Sequence, residues 1–191
     1  MAREGVDPEA RWRRPWDGQW RMVLFDVAEQ ERSTRARLRY ELRQHRLGCL
    51  QGSVWVSPDP LGHLRDTVKS MIANPEALLF FEGRPFAGES DTALVNGAWN
   101  FEQINEAYRA HLRMLATKPP STAEPLRWQK WLARERLSWL DALRRDPLLP
   151  EGLLPAGYLG REAHRTRRAT LKQASLRAFG ISPVTNSRSP G

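Results

Sequence analysis

Three short apolar runs in the first half of the chain constrain the fold more than any other feature. They lie in "QWRMVLFDV" (19–27), "LQGSVWVSP" (50–58) and "EALLFFEGR" (76–84). Each is rich in β-branched and aromatic residues and is bounded by Gly, Pro or polar turns, the pattern of a buried strand. Between them, apolar residues recur with helical spacing. Residues 29–47 predict a helix stopped by Gly48, and 62–74 a second one with Leu64, Val68, Met71 and Ile72 on one side. From Asn96 onward the pattern is helical. Ile104, Ala107, Tyr108, His111, Leu112 and Leu115 form one stripe, and Asn100 with Gln103 reads as a capping box. Trp128, Trp131 or Leu132, Glu135, Trp139 and Leu143 lie near one face of a helix over 126–146, and a basic helix follows over 161–178. Alternating strands and helices followed by helices alone predict an α+β chain, a small α/β sandwich with a helical segment appended. The parts so read are a basic N-terminal arm (1–15), the sandwich (16–95), the helical part (96–178) and a disordered tail (179–191).

At 191 residues the chain is long enough for one sizeable core or two small ones. No stretch approaches ~18 uninterrupted apolar residues, and the charged N-terminus has no apolar signal region. Neither a transmembrane helix nor secretion is expected. The one cysteine, Cys49, fits a reducing cytoplasm, and without a Cys/His cluster neither a structural zinc site nor another cofactor is expected. The formal net charge is +8 and the pI about 10.5, and only four of the 30 basic residues are lysine. Arginine's planar fork suits phosphates. The excess points to a polyanionic partner, either nucleic acid or a small phosphate-rich ligand, or to no more than a solvated arginine-rich surface.

Two stripes carry this charge. Arg32, Arg35, Arg39, Arg43 and Arg46 fall within roughly 80° of arc on the first helix, with Leu38 and Leu42 about a quarter turn away to face the sheet. Arg161, Arg165, Arg168 and Lys172 form a second stripe on the last helix, beside His164 and Arg167. Each stripe is either a solvated face or a set of phosphate contacts for DNA or for a coenzyme A nucleotide. Trp55 and Trp99 read as core aromatics, and Cys49 as a small buried side chain. His45 and His63 are isolated, His111 sits on an apolar face, and none has a Ser or Cys partner at a triad-like spacing. Asp26 ends the first strand, and with Glu29 three residues on it reads as the capping box of the following helix.

"WDGQWRMVLFDVAEQERSTRARLRYELRQHRLGCLQGSVWVSP" closely resembles the central domain of the PaaX-type transcriptional regulators. Trp16, Asp17, Gly18, Trp20, Phe25, Asp26, Val54, Trp55, Val56, Ser57 and Pro58 carry the pattern. "LVNGAWNFEQINEAYRAHLRML" and "RDPLLPEGLLPAGYLGREA" are similar to later segments of the same family, so the resemblance spans roughly residues 12–175. It implies a ferredoxin-like central domain, similar to the small nuclease of CRISPR adaptation, followed by a helical C-terminal domain. It also implies a homodimeric repressor of aromatic-acid catabolism genes, phenylacetate among them, released from DNA by an aryl-coenzyme A thioester. For Asp26 it raises an alternative: joined to its symmetry mate across a dimer dyad, the carboxylate would hold a divalent cation for phosphodiester cleavage. Ala28, Asn100 and Tyr158 depart from the residues common at those positions. In that family a winged helix-turn-helix precedes the Trp-Asp-Gly entry, whereas 15 residues precede it here. The expectation is a sensing and dimerising module, acting on DNA directly or through a DNA-binding partner, or else a start codon placed too far downstream.

Overall fold

The computed structural model describes residues 6–117, 119–120 and 124–178, and the tail read as disordered (179–191) lies outside them. In chain order the elements are α1 (Pro8–Arg13), β1 (Trp20–Phe25), α2 (Arg32–Gln44), β2 (Gly48–Gln51), β3 (Val54–Ser57), α3 (His63–Lys69), β4 (Leu78–Gly83), α4 (Asp91–Ala98), α5 (Phe101–Ala116), α6 (Pro125–Arg145) and α7 (Gly160–Ala178). They form two compact units whose boundaries fall at Gln103/Ile104, Arg145/Asp146 and Tyr158/Leu159.

In the first unit the four strands make one sheet in the order β2-β3-β1-β4, with every neighbouring pair antiparallel. Each helical crossover joins two strands that flank a third, which is the ferredoxin-like arrangement expected. The period-2 alternation sends Val23 and Phe25 of β1, Trp55 of β3 and Leu78 of β4 to one face. There they meet Leu38 and Leu42 of α2 and Leu64 and Val68 of α3 in one buried cluster. Each such side chain taken out of water contributes about 1.5–3 kcal/mol, so this cluster holds the sheet and its two helices together.

The segment 50–58 is not one strand, as its apolar pattern suggested, but part of the β2–β3 hairpin. The chain folds back at Gly52, where φ is +34°, and a register irregularity falls between Cys49 and Gln51. Helix limits also differ. α2 starts at Arg32 rather than 29, and it ends in a Schellman turn. Arg46 adopts φ +66°, its N–H bonds the Arg43 carbonyl at 2.9 Å, and the Leu47 N–H bonds the Leu42 carbonyl at 3.0 Å. Gly48 therefore does not stop the helix. It opens β2, where a Cβ would lie 2.6 Å from both Ala98 Cβ and the Trp99 ring.

Residues 1–15 are not a loose arm throughout. Asp7 caps α1 by accepting the Glu9 N–H at 3.0 Å, Pro8 fits its first turn, and Trp12 is buried. The helical pattern expected from Asn96 begins earlier, with α4, which is capped by Ser90 accepting the Ala93 N–H at 3.1 Å. The box at the start of α5 is as expected, with Gln103 N–H donating to Asn100 Oδ1 at 3.0 Å.

Residues 146–158 complete the first unit. Asp146 is fully buried; its carboxylate accepts the Leu148 N–H at 2.7 Å and the Tyr158 hydroxyl, and its carbonyl accepts from Arg46. The Tyr158 ring meets Trp12 and Phe101 edge-on, each at 6.0 Å. In the second unit α5, α6 and α7 converge on Trp139. Its ring centroid lies 6.1 Å from Tyr108 and 5.2 Å from His111, and His164 stacks on it at 5.8 Å.

Gly48→Ala should cost about 1–3 kcal/mol in urea unfolding, because the new methyl overpacks the Trp99 contact. In a Trp99→Ala background the cost should shrink, a coupling that a double-mutant cycle measures.

Candidate functional site

The Trp-Asp-Gly-x-Trp entry builds a structural turn. Gly18 takes φ +76°, and Asp17 accepts the Gln19 N–H at 2.9 Å. The Asp17 carboxylate also grips the buried Arg21 guanidinium at 2.9 and 2.5 Å, and Arg21 reaches Glu82 on β4 at 3.3 Å. This pairing holds the Asp17 carboxyl below its ordinary pKa and raises that of Arg21. Trp20 Nε1 donates to Asp91 Oδ1 at 2.7 Å, so the motif also fixes the start of α4.

Asp26 stands at the end of β1, where its N–H bonds the Ala77 carbonyl at 2.8 Å. It does not cap α2. The N-cap of α2 is Glu31, which makes no side-chain cap bond, and the intervening residues form a loop that leaves Asp26 too far upstream to reach the helix. The exposed Asp26 carboxylate instead lines a cleft of about 520 Å³ with Ser53, Asn74, Glu76 and the apolar Leu24 and Leu79. Among the described residues no three His, Cys, Asp or Glu side chains converge as a metal-binding group.

The two arginine stripes are differently placed. Leu38 and Leu42 bury α2 on a line beside its stripe, which leaves the stripe on the helix shoulder rather than its crest. Arg39 reaches the Gly52 carbonyl at 3.5 Å, and the Arg43 guanidinium lies 5.4 Å from the Trp55 ring centroid. Arg46 sits past the helix end in the Schellman turn and is occupied by the Asp146 carbonyl. Arg32 is exposed and Arg35 half-buried on the first turn. On α7, by contrast, Arg161, Arg165, Arg168 and Lys172 are all exposed along one line.

The sheet face opposite α2 and α3 is only partly covered. Trp99 and α4 pack at its β2 side, while Leu79 and Phe81 of β4 remain 52% and 48% exposed. Their partners Leu24 and Met22 lie beside them in register.

In the second unit a buried polar network joins all three helices, and sequence spacing did not reveal it. His111 is fully buried, and its Nδ1 lies 2.8 Å from Ser138 Oγ, which itself donates to the Glu135 carbonyl at 2.9 Å. The serine proton is thus used, so Nδ1–H is the donor and Nε2 carries a lone pair. That lone pair faces Glu135 Oε1 at 3.9 Å without a hydrogen bond. Glu135 is buried and accepts from Arg167 Nε at 2.6 Å, and Arg167 lies 5.0 Å from the Trp139 ring centroid. The sequence held one signal of this pair: Glu135 occupies the apolar face of α6 between Trp131 and Trp139. Burial first, then the Arg167 charge, lowers the His111 pKa from 6.5 to about 4.

Two outcomes follow for stability. Asp26→Asn should change urea-unfolding stability by no more than about 0.5 kcal/mol, because the side chain is exposed and caps nothing. The lowered His111 pKa contributes stability that is complete above about pH 6.5 and is lost as pH falls toward 4, up to about 3 kcal/mol. Urea unfolding over that range should show this loss in the native chain and a shallower one in His111→Gln.

The comparisons with known proteins agree with this architecture. Residues 13–95 match the model of the PaaX protein central Cas2-like domain, and residues 99–179 that of the PaaX-like protein C-terminal domain. A solved structure, the uncharacterized protein Rv0674 from Mycobacterium tuberculosis, superposes with a TM-score of 0.63 at 22% identity. The match covers 91% of this chain and 69% of that one, a likeness of fold. No curated protein matches the chain. With both domain models in order over most of its length, the chain belongs to the PaaX-type family of transcriptional regulators.

Proposed function

We propose that the chain is the sensing and dimerising body of a PaaX-like repressor, binding an aryl-coenzyme A thioester and acting on DNA directly or through a DNA-binding partner. The observation that carries this reading is the ordered match to both the central and the C-terminal domain of the family. The open apolar sheet face around Met22, Leu24, Leu79 and Phe81 supports a homodimer, since apolar patches of this kind mark interaction surfaces. The free end of the α2 stripe, Arg32 and Arg35, supports binding of the phosphate end of a coenzyme A. The lone cysteine fits a cytoplasmic regulator, and among the described residues no helix is long and apolar enough to cross a membrane.

Thermal unfolding against a panel of coenzyme A thioesters, with free coenzyme A as control, tests the sensor. An aryl thioester at ~100 times its dissociation constant should stabilise the chain by about 2.7 kcal/mol, and Arg32→Glu with Arg35→Glu should weaken the effect. No shift with any thioester would remove the sensor reading. For the dimer, sedimentation of Phe81→Glu should show monomer where the native chain shows dimer.

A second reading rests on the exposed Asp26 in its cleft beside Glu76 and Asn74: a metal-dependent nuclease that pairs Asp26 across a dyad. It requires Mg²⁺- or Mn²⁺-dependent cleavage of nucleic acid that disappears in Asp26→Asn while the fold persists.

A further inference from the structure

Of the Trp-Asp-Gly-x-Trp entry, Asp17, Gly18 and Trp20 build the turn, whereas Trp16 also lines a cleft. Trp16 is held in place there: Nε1 donates to the Gln19 carbonyl at 3.1 Å, and its ring meets Trp20 edge-on at 5.5 Å. The cleft measures about 570 Å³, a size common among small-molecule sites, and all its residues belong to the first unit. Pro85 shares the wall with Trp16, as do Arg84 directly after β4, Glu89 before α4 and Asp91 in its first turn. These charges are of both signs, yet they do not meet. Among the described residues the Arg84 guanidinium makes no ion pair or hydrogen bond, and neither does the Glu89 carboxylate. Asp91 gives Oδ1 to Trp20 Nε1 at 2.7 Å, and its Oδ2 takes no hydrogen bond from the described residues. A Cβ on Gly18 would stand 3.3 Å from Arg84 Nη2, so the glycine of the motif also leaves the guanidinium its place.

We propose that this cleft binds a free α-amino acid with a flat, apolar side chain. The ligand carboxylate pairs with Arg84, whose planar fork matches it bidentately. Its ammonium group donates to Glu89 and to the open oxygen of Asp91, and its side chain packs on Trp16 and Pro85. The mixed charge selects this class. A simple anion such as phosphate would face two carboxylates, and a simple amine would face the guanidinium, like-charge contacts that weigh against both. A zwitterion answers both signs at once. The inference goes beyond the regulator reading and does not rest on it. None of these residues lies on α2 or in the Asp26 cleft, so the site gives the chain a separate small-molecule input.

The test is isothermal titration calorimetry of the full chain with L-phenylalanine, which should bind saturably, one molecule per chain. N-acetyl-L-phenylalanine lacks the ammonium charge and L-phenylalaninamide lacks the carboxylate. Each should bind about tenfold more weakly or worse, the loss expected for one charged hydrogen-bonding contact. L-alanine, which has no ring to place on Trp16, should also bind more weakly. Arg84→Gln should abolish the preference for phenylalanine over its amide, and Glu89→Gln should reduce the preference over the N-acetyl form. Both side chains are exposed and unpaired among the described residues, so thermal unfolding without ligand should be unchanged in either variant. Asp91 is left intact because it anchors Trp20. Absence of binding, equal binding of the N-acetyl form or of L-alanine, or affinity for phenylalanine unchanged in both variants overturns the proposal. The thioester panel reads arginines of α2 and this titration reads the cleft, so either reading can fail alone.

Discussion

The Asp59 carboxylate, two residues past β3, accepts from Arg11 at 2.6 Å and from Arg14 at 2.6 and 3.0 Å. Arg14 then donates onward to the Leu148 carbonyl at 2.5 Å, 134 residues away in sequence. Burial lowers the Arg14 pKa while Asp59 opposes the shift, so the carboxylate offsets part of the cost of burying the guanidinium. Without that anion, a partly buried cation would be left against backbone carbonyls alone, an unfavourable state. The N-terminal helix, the end of the sheet and the returning segment are thus joined at one ion cluster. Ser57 Oγ accepts the Asp59 N–H at 3.0 Å, which orients the carboxylate. The Val-Trp-Val-Ser-Pro stretch that resembles the PaaX pattern supplies both a strand and this junction.

Where sequence reading succeeded, the signal was periodic and local. β1, β4 and the helices from 101 onward stand within a few residues of their expected places, because their apolar residues repeat on one face without interruption. Where it failed, the deciding contact lay far along the chain. α1 looked like a basic arm because its anchors, Asp59 and the Tyr158 ring, are remote from it. Gly48 looked like a helix stop, whereas the ring of Trp99 dictates it. The hairpin was hidden because Gly52 interrupts an apolar run too briefly to divide it by pattern. Of the candidate site, both arginine stripes were legible. That one lies on a shoulder and the other on a crest depends on where the apolar line falls, and that depends on packing partners. The Ser138 hydroxyl beside His111, 27 residues away, follows from the meeting of α5 and α6 rather than from any local spacing.

The two units handle buried polarity in different ways. The first encloses the Asp146 carboxylate and answers it with the Leu148 N–H and the Tyr158 hydroxyl, while Arg21 between Asp17 and Glu82 and Arg14 against Asp59 have partners still reached by water. The second encloses a carboxylate, Glu135, and answers it with Arg167 from another helix. A buried ion pair of this kind fixes how helices register on one another, since sliding by one turn would leave a charge alone. The neutral imidazole of His111 fits the same scheme, occupying apolar space while spending its one proton on Ser138.

The return of residues 146–158 to the first unit has a consequence for the order in which this chain matures. The sheet is complete in sequence at Gly83, yet the carbonyls that receive Arg14 and Arg46 emerge only with Asp146 and Leu148. A growing chain therefore holds these two guanidiniums without their final acceptors until much of the helical unit has been synthesised. Contacts of such sequence separation carry a loop-closure cost and slow folding relative to local ones. The division into a central and a C-terminal domain is one of sequence. The first unit is complete only with Tyr158, after the two long helices that precede it in the chain have been synthesised.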